Sequence, residues 1–239
     1  MSLFRGAFFF KSVTSLADAP ASAGEIAFVG RSNSGKSSAI NALAGSQLAF
    51  VSKTPGRTRL INYYALGAER FIVDLPGYGY ARVPDATRAP WEALLGGYLR
   101  VRAALCGLAV VMDVRHPLTD LDQRMLRWFC PTGKPVHVLL TKADKLSREA
   151  AQKVLRRVEA EIGAFAPNAS VQLFSSLKKS GLEEAAAVLL GWLDASAPSA
   201  GGVALGREPN ENPRQNRGWR NKSPRAKRGN QPGAKCLKV

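Results

Sequence analysis

Apolar positions along this chain fall into short runs separated by stretches of helical period. Six runs read as strands: Glu25–Val29, Leu60–Leu66, Phe71–Asp74, Leu108–Asp113, Val136–Thr141 and Val171–Ser175. Helices are predicted over Ser38–Ala44, Trp91–Ala104, Leu121–Phe129, Arg148–Ile162 and Leu182–Leu193. Thr119 and Ser147 are placed to cap two of them, and Ser180-x-x-Glu183 has the form of a capping box for the last. Apolar strands alternating with helices predict an α/β fold, a mostly parallel six-stranded sheet with helices on both faces. Leu60–Leu66 alternates and turns at Gly67 into Phe71–Asp74, a hairpin that would add one antiparallel edge strand. Met1–Gly24 has no helical period and reads as an extended arm packed on the sheet. Residues 1–24, 25–198 and 199–239 then form an arm, one folded domain and a tail.

Composition adds one strong asymmetry. The net charge is +16 over 239 residues. From Ser199 onward ten basic residues face only Glu208 and Glu211, so half of the excess lies in the last 41 residues. That segment is rich in Gly, Pro, Asn and Ser. It cannot bury enough surface to offset the entropy of ordering, and reads as a disordered basic tail suited to RNA phosphates. Trp219 among its arginines could stack on a base. Phe8-Phe9-Phe10 is cut by Lys11 and is too short for a signal-peptide core, and no run approaches a membrane span. Cys106, Cys130 and Cys236 are odd in number and lack metal-ligand spacing, which fits reduced thiols in a cytoplasm. His137, inside an apolar strand, reads as a packed residue.

The chemistry is concentrated at strand ends. Gly30-Arg31-Ser32-Asn33-Ser34-Gly35-Lys36-Ser37 has the form G-x-x-x-x-G-K-S between a strand and a helix, the setting of a phosphate-binding loop. Backbone N–H groups and the helix N-terminus would face the anion, Lys36 would reach the outer phosphates, and the Ser37 hydroxyl could ligate Mg²⁺. Asp74-Leu75-Pro76-Gly77 ends a strand. Asp74 could hold the metal through a water, and the Gly77 N–H could sense a γ-phosphate. Thr58 could complete the metal shell. Thr141-Lys142-Ala143-Asp144 places a carboxylate able to accept both guanine N1–H and the exocyclic amine, a pair of donors adenine lacks. Lys142 could lie along the base, and Phe174-Ser175-Ser176 could support its O6 side.

In order and spacing these segments resemble the EngB/YihA/YsxC family of bacterial GTPases. The likeness rests on residues 30–38, Ser52-Lys53-Thr54-Pro55-Gly56-Arg57-Thr58, Asp74–Tyr80, Thr141–Lys145 and Phe174–Ser176, with Asp113–Asp122 also similar. It runs from about Phe8 to about Leu193. The resemblance implies nucleotide contacts from residues 30–37, from Gly56, Arg57, Thr58, Arg59 and Leu60, and from residues 74–77, 141–144 and 174–176. Ser37 and Thr58 would be the Mg²⁺ ligands. It also implies a role in large-subunit assembly, with effects on division and septation.

Three mechanistic expectations follow. Lys36, Thr58 and the Gly77 N–H are the candidate catalytic groups. Tyr78 stands where many small GTPases carry a water-orienting glutamine, so hydrolysis should be slow. Asn33 either holds K⁺ beside the phosphates, as in similar G-x-x-N-x-G-K-S loops, or only favours a left-handed turn. A monomeric switch acting on ribosomal particles is the leading reading. The alternatives are an RNA-binding assembly factor using nucleotide only for stability and a small-molecule kinase, the latter disfavoured by T-K-x-D.

Overall fold

The computed structural model describes residues 3–49, 60–78 and 95–196. The Thr54–Thr58 segment, Tyr80, residues 91–94 of the predicted second helix and the basic tail lie outside that range. In chain order the strands are β1 (Phe8–Val13), β2 (Gly24–Gly30), β3 (Ile61–Gly67), β4 (Arg70–Asp74), β5 (Leu105–Asp113), β6 (Val136–Thr141) and β7 (Ala169–Leu173). The helices are α1 (Lys36–Ala44), α2 (described over residues 95–101), α3 (Asp120–Phe129), α4 (Arg148–Gly163) and α5 (Leu182–Ala195).

The sheet order is β1-β3-β4-β2-β5-β6-β7, seven strands rather than the predicted six. β2, β4, β5, β6 and β7 are parallel, and β3 runs antiparallel to β4 as the hairpin implied. The seventh strand is β1, which pairs antiparallel to β3 along its outer side. It gives no alternating signal because Phe8, Phe9 and Phe10 are all about half exposed and the register shifts between Phe9 and Lys11. β5 begins three residues before its predicted start. Gly107, in the added stretch, lies under Trp192 of α5, where a Cβ would come within 2.3 Å of the indole ring.

Side chains alternate through the central strands into two cores. Ile26 and Phe28 of β2 join Ile72, Val111 and Leu139 beneath α1 and α5, while Ala27 and Val29 join Val73, Val110 and Val138 beneath α2, α3 and α4. Burial on both faces explains the unbroken apolar runs of β2, β5 and β6. Ser147 caps α4 by accepting from the Ala150 N–H. The predicted capping box of α5 does not form. Ser180 is tied to Ser175 in an antiparallel bridge, and Gly181 takes the N-cap in a left-handed conformation.

At the end of the sheet where β2 begins, Glu25 is fully buried. It accepts the Tyr98 hydroxyl at 2.6 Å and Arg102 Nη2 at 2.5 Å, which fixes the end of α2 against β2. His137 is packed between Ser170 and Gln172, and burial lowers its pKa. Cys106 and Cys130 are free thiols. Among the described residues no helix is long and apolar enough to cross a membrane.

Candidate functional site

The parallel strands all deliver their last residues to one end of the sheet, where Gly30, Asp74, Asp113 and Thr141 lie close in register. The phosphate loop leaves β2 at Gly30. A Cβ there would lie 2.7 Å from both the Val111 carbonyl oxygen and Ser34 Oγ, so only glycine lets the loop pack on β5. Asn33 and Gly35 turn the loop through the left-handed region, with φ of 63° and 98°. Asn33 thus has the left-handed backbone of the turn reading, which leaves the K⁺ reading open. Ser34 Oγ is buried without a hydrogen-bond partner among the described residues.

Lys36 opens α1. The N-cap, Gly35, offers no side-chain acceptor, and the first turn carries no acidic residue. By contrast α3, α4 and α5 each carry aspartate or glutamate there. The N-terminus of α1 is thus left electropositive, with N–H groups available to an external anion. The Lys36 ammonium pairs with the Asp74 carboxylate at the end of β4. Ser37 follows Lys36 in the same turn. A serine hydroxyl and a carboxylate beside one phosphate loop are the hard oxygen donors Mg²⁺ prefers. Among the described residues no group of three or more His, Cys, Asp or Glu forms a metal cluster of its own.

β6 brings the T-K-x-D residues against the loop. Thr141 Oγ1 lies 2.5 Å from the Ser34 carbonyl oxygen and 2.9 Å from that of Met112. Lys142, itself left-handed, donates from Nζ to the Asn33 carbonyl at 2.7 Å and pairs with Asp113 at 2.9 Å. Two successive carbonyls of the phosphate loop are therefore fastened by two successive residues of T-K-x-D. Asp144 accepts the Ser175 hydroxyl at 2.5 Å, and Ser175 Oγ in turn accepts the Lys178 N–H. The Ala143 N–H donates to the Phe174 carbonyl, so residues 141–144 and 174–176 form one unit. The Ser175 bond is the main cause of a lowered Asp144 pKa, with Lys145 and Lys178 adding to it. Asp144 is accordingly an ionised acceptor at neutral pH, and its charge is lost only as pH falls through that lowered value.

Not every predicted residue joins this assembly. Leu75 is buried, and its N–H donates to the Phe28 carbonyl of β2; Pro76 and Gly77 carry the chain on to Tyr78. Ser176 is half-buried, and Leu60 stands just before β3. Gly56, Arg57, Thr58 and Arg59 lie outside the described residues.

Two aspartates to which the sequence assigned no role are part of the site's frame. Asp113 closes β5 and anchors Lys142. Burial would raise its pKa, but the Arg115 side chain and backbone, with Lys142, together hold it well below the usual carboxylate range. Asp122 receives the Tyr78 hydroxyl at 2.6 Å and also the Thr119 amide and hydroxyl at the start of α3. Tyr78 N–H donates to the Gly30 carbonyl, and Ser32 N–H donates to the Tyr78 carbonyl. The available signal was an aspartate ending an otherwise apolar strand, and a second one three residues after a candidate cap.

Comparison with known proteins bears on the family and the fold. A family described as "50S ribosome-binding GTPase" matches residues 25–142. "Probable GTP-binding protein EngB" of Methylobacillus flagellatus is 59% identical over 195 residues, covering 81% of this chain and 94% of that protein. Its namesake from Dechloromonas aromatica is 58% identical over 198 residues, covering 81% and 90%. Among solved structures, one titled "Crystal structure of a probable GTP-binding protein engB" superposes with a TM-score of 0.59 at 20% identity, covering 72% of this chain and all of that one.

The buried Tyr78–Asp122 bond makes a direct prediction. Tyr78→Phe leaves one carboxylate oxygen without its donor and should lower stability by about 1–3 kcal/mol. Urea unfolding of the two proteins measures this, and equal midpoints would show that the bond contributes nothing.

Proposed function

The chain belongs to the EngB family of GTP-binding proteins, and from that premise we propose that it is a slow, Mg²⁺-dependent GTPase switch for large-subunit ribosome assembly. Its proposed setting is the cytoplasm, as a monomer, with consequences for cell division and septation. The observation that carries the guanine assignment is the Asp144 carboxylate, held ionised and oriented by Ser175 on the same unit that fastens the phosphate loop. Asp144 would take the guanine N1–H and amine, while Lys142 would lie along the base. Ser175 and its neighbours Phe174 and Ser176 would support it. Residues 30–37 would enclose the phosphates, with Lys36 moving from Asp74 to the outer oxygens. Ser37, Thr58 and, through water, Asp74 would hold Mg²⁺, which supplies charge neutralisation between the phosphates.

Slow turnover follows from Tyr78. Its hydroxyl is committed to Asp122 in the core, so it does not orient water as a glutamine amide does. Thr58 and the Gly77 N–H would respond to the γ-phosphate, and residues 56–60 with them. The tail after Ser199 would add contacts to ribosomal RNA phosphates. The competing reading, an RNA-binding assembly factor using nucleotide only for stability, draws on that same charge and requires no difference between GTP and GDP.

Asp144→Asn should weaken GDP at least about a hundredfold and improve xanthosine diphosphate, because an amide can donate where the carboxylate could not. Equal affinity of the native chain for ATP and GTP in a titration would sink the guanine assignment.

Cosedimentation with large ribosomal subunits should be stronger with GTP than with GDP, and indifference to the nucleotide would favour the passive factor. Deleting the residues after Ala200 should preserve GDP affinity and flatten the salt dependence of RNA binding. The log-log slope should shrink by roughly 0.7–0.9 for each RNA phosphate that the shortened chain no longer neutralises.

If Asn33 holds K⁺, turnover is faster in K⁺ than in Na⁺, and Asn33→Ala removes the difference. Identical rates in the two salts leave Asn33 as a turn residue alone.

A further inference from the structure

Asp113 ends β5 with its side chain 7% exposed. A covered carboxylate at the end of an apolar strand requires compensating donors. Arg115 supplies three: its backbone N–H reaches Oδ1 at 3.0 Å, Nε reaches Oδ1 at 2.9 Å, and Nη2 reaches Oδ2 at 2.6 Å. This fork fixes the plane of the carboxylate. Oδ2 then meets the Lys142 ammonium at 2.9 Å. The same ammonium donates to the Asn33 carbonyl at 2.7 Å. The end of β5, the T-K-x-D segment and the phosphate loop therefore converge on one nitrogen atom.

A lysine loses much rotamer freedom when held in one place, and a single neutral carbonyl is a weak anchor for it. The Lys142 side chain is 32% exposed and has an open route to solvent. A fixed charge behind it offsets that entropy. We propose that Asp113 is a positioning residue for nucleotide binding: it holds Lys142 as a strut between the base side and the phosphate loop. It acts through Lys142 rather than on the ligand. Arg115 orients the carboxylate from the solvent side.

This inference rests on the GTP-binding reading above, and a double-mutant cycle separates the two. GDP affinity is measured by titration of the full chain as native, Asp113→Asn, Lys142→Met and the double variant. Each single change should weaken GDP about tenfold, roughly the worth of one hydrogen bond to a charged group. The double variant should also lose about tenfold rather than about a hundredfold, because both changes remove one strut. GTP should follow GDP, with the loss in KM rather than kcat. The preference for guanine over xanthine, assigned to Asp144, should stay. A merely structural Asp113 would instead give additive losses, and additive losses overturn the proposal, as does native affinity in Asp113→Asn. If Asp113→Asn fails to fold by circular dichroism, Asp113→Glu replaces it, and the same non-additivity is expected because the carboxylate is displaced from Lys142. A native chain that binds no GDP would overturn the GTP-binding reading and this proposal together. A native chain that binds GDP, with additive variants, overturns this proposal alone.

Discussion

A loop that leaves its backbone N–H groups free for an anion cannot use them to stabilise its own shape, so its carbonyls must be fastened by other parts of the chain. In the phosphate loop of this protein three carbonyls are held from outside it. Gly30 is held by the Tyr78 N–H, and the Asn33 and Ser34 carbonyls by Lys142 and Thr141. One intraloop bond, Ser34 N–H to the Arg31 carbonyl, helps close the turn. The fastening residues come from the ends of β4 and β6, the strands on either side of the β2–β5 pair. The parallel sheet is therefore the device that keeps the loop open.

The same arrangement ties the two halves of the proposed ligand together. Thr141 and Lys142 serve the loop, while Asp144, two residues on, is oriented by Ser175. Displacement of β6 would disturb both at once. Tyr78 makes the corresponding link on the other side. Its backbone pairs with the loop and its hydroxyl reaches Asp122 at the start of α3. Tyr78 therefore touches both the loop and a helix of the second core. Charge is placed to suit this: α1 alone among the four helices with described N-termini has no acid in its first turn, while the buried Glu25 carboxylate lies at the opposite end of the sheet.

Where local reading of the chain departs from the fold, a tertiary contact is responsible. Ser180-x-x-Glu183 has the composition of a capping box, but pairing of Ser180 with Ser175 takes the serine away from the helix. β5 starts at Leu105 rather than Leu108, and in the added stretch Gly107 leaves room for the Trp192 ring. Phe8–Val13 has no alternation because an outermost strand need not bury one face, yet its backbone still completes β3.

What the sequence determined by itself was whatever is written in consecutive residues: the phosphate loop, D-x-x-G, T-K-x-D, the unbroken apolar strands, and the order that places these motifs at strand ends. Each is a local pattern, because backbone conformation and ligand chemistry there depend on side chains a few positions apart. The tertiary structure alone decided that Lys142 reaches back 109 residues to Asn33, that Asp113 stands behind it, and that Tyr78 turns inward to Asp122. Those partners are set by strand order and register, and a long polar side chain carries no local sign of which distant carbonyl or carboxylate the folded sheet will bring within its reach.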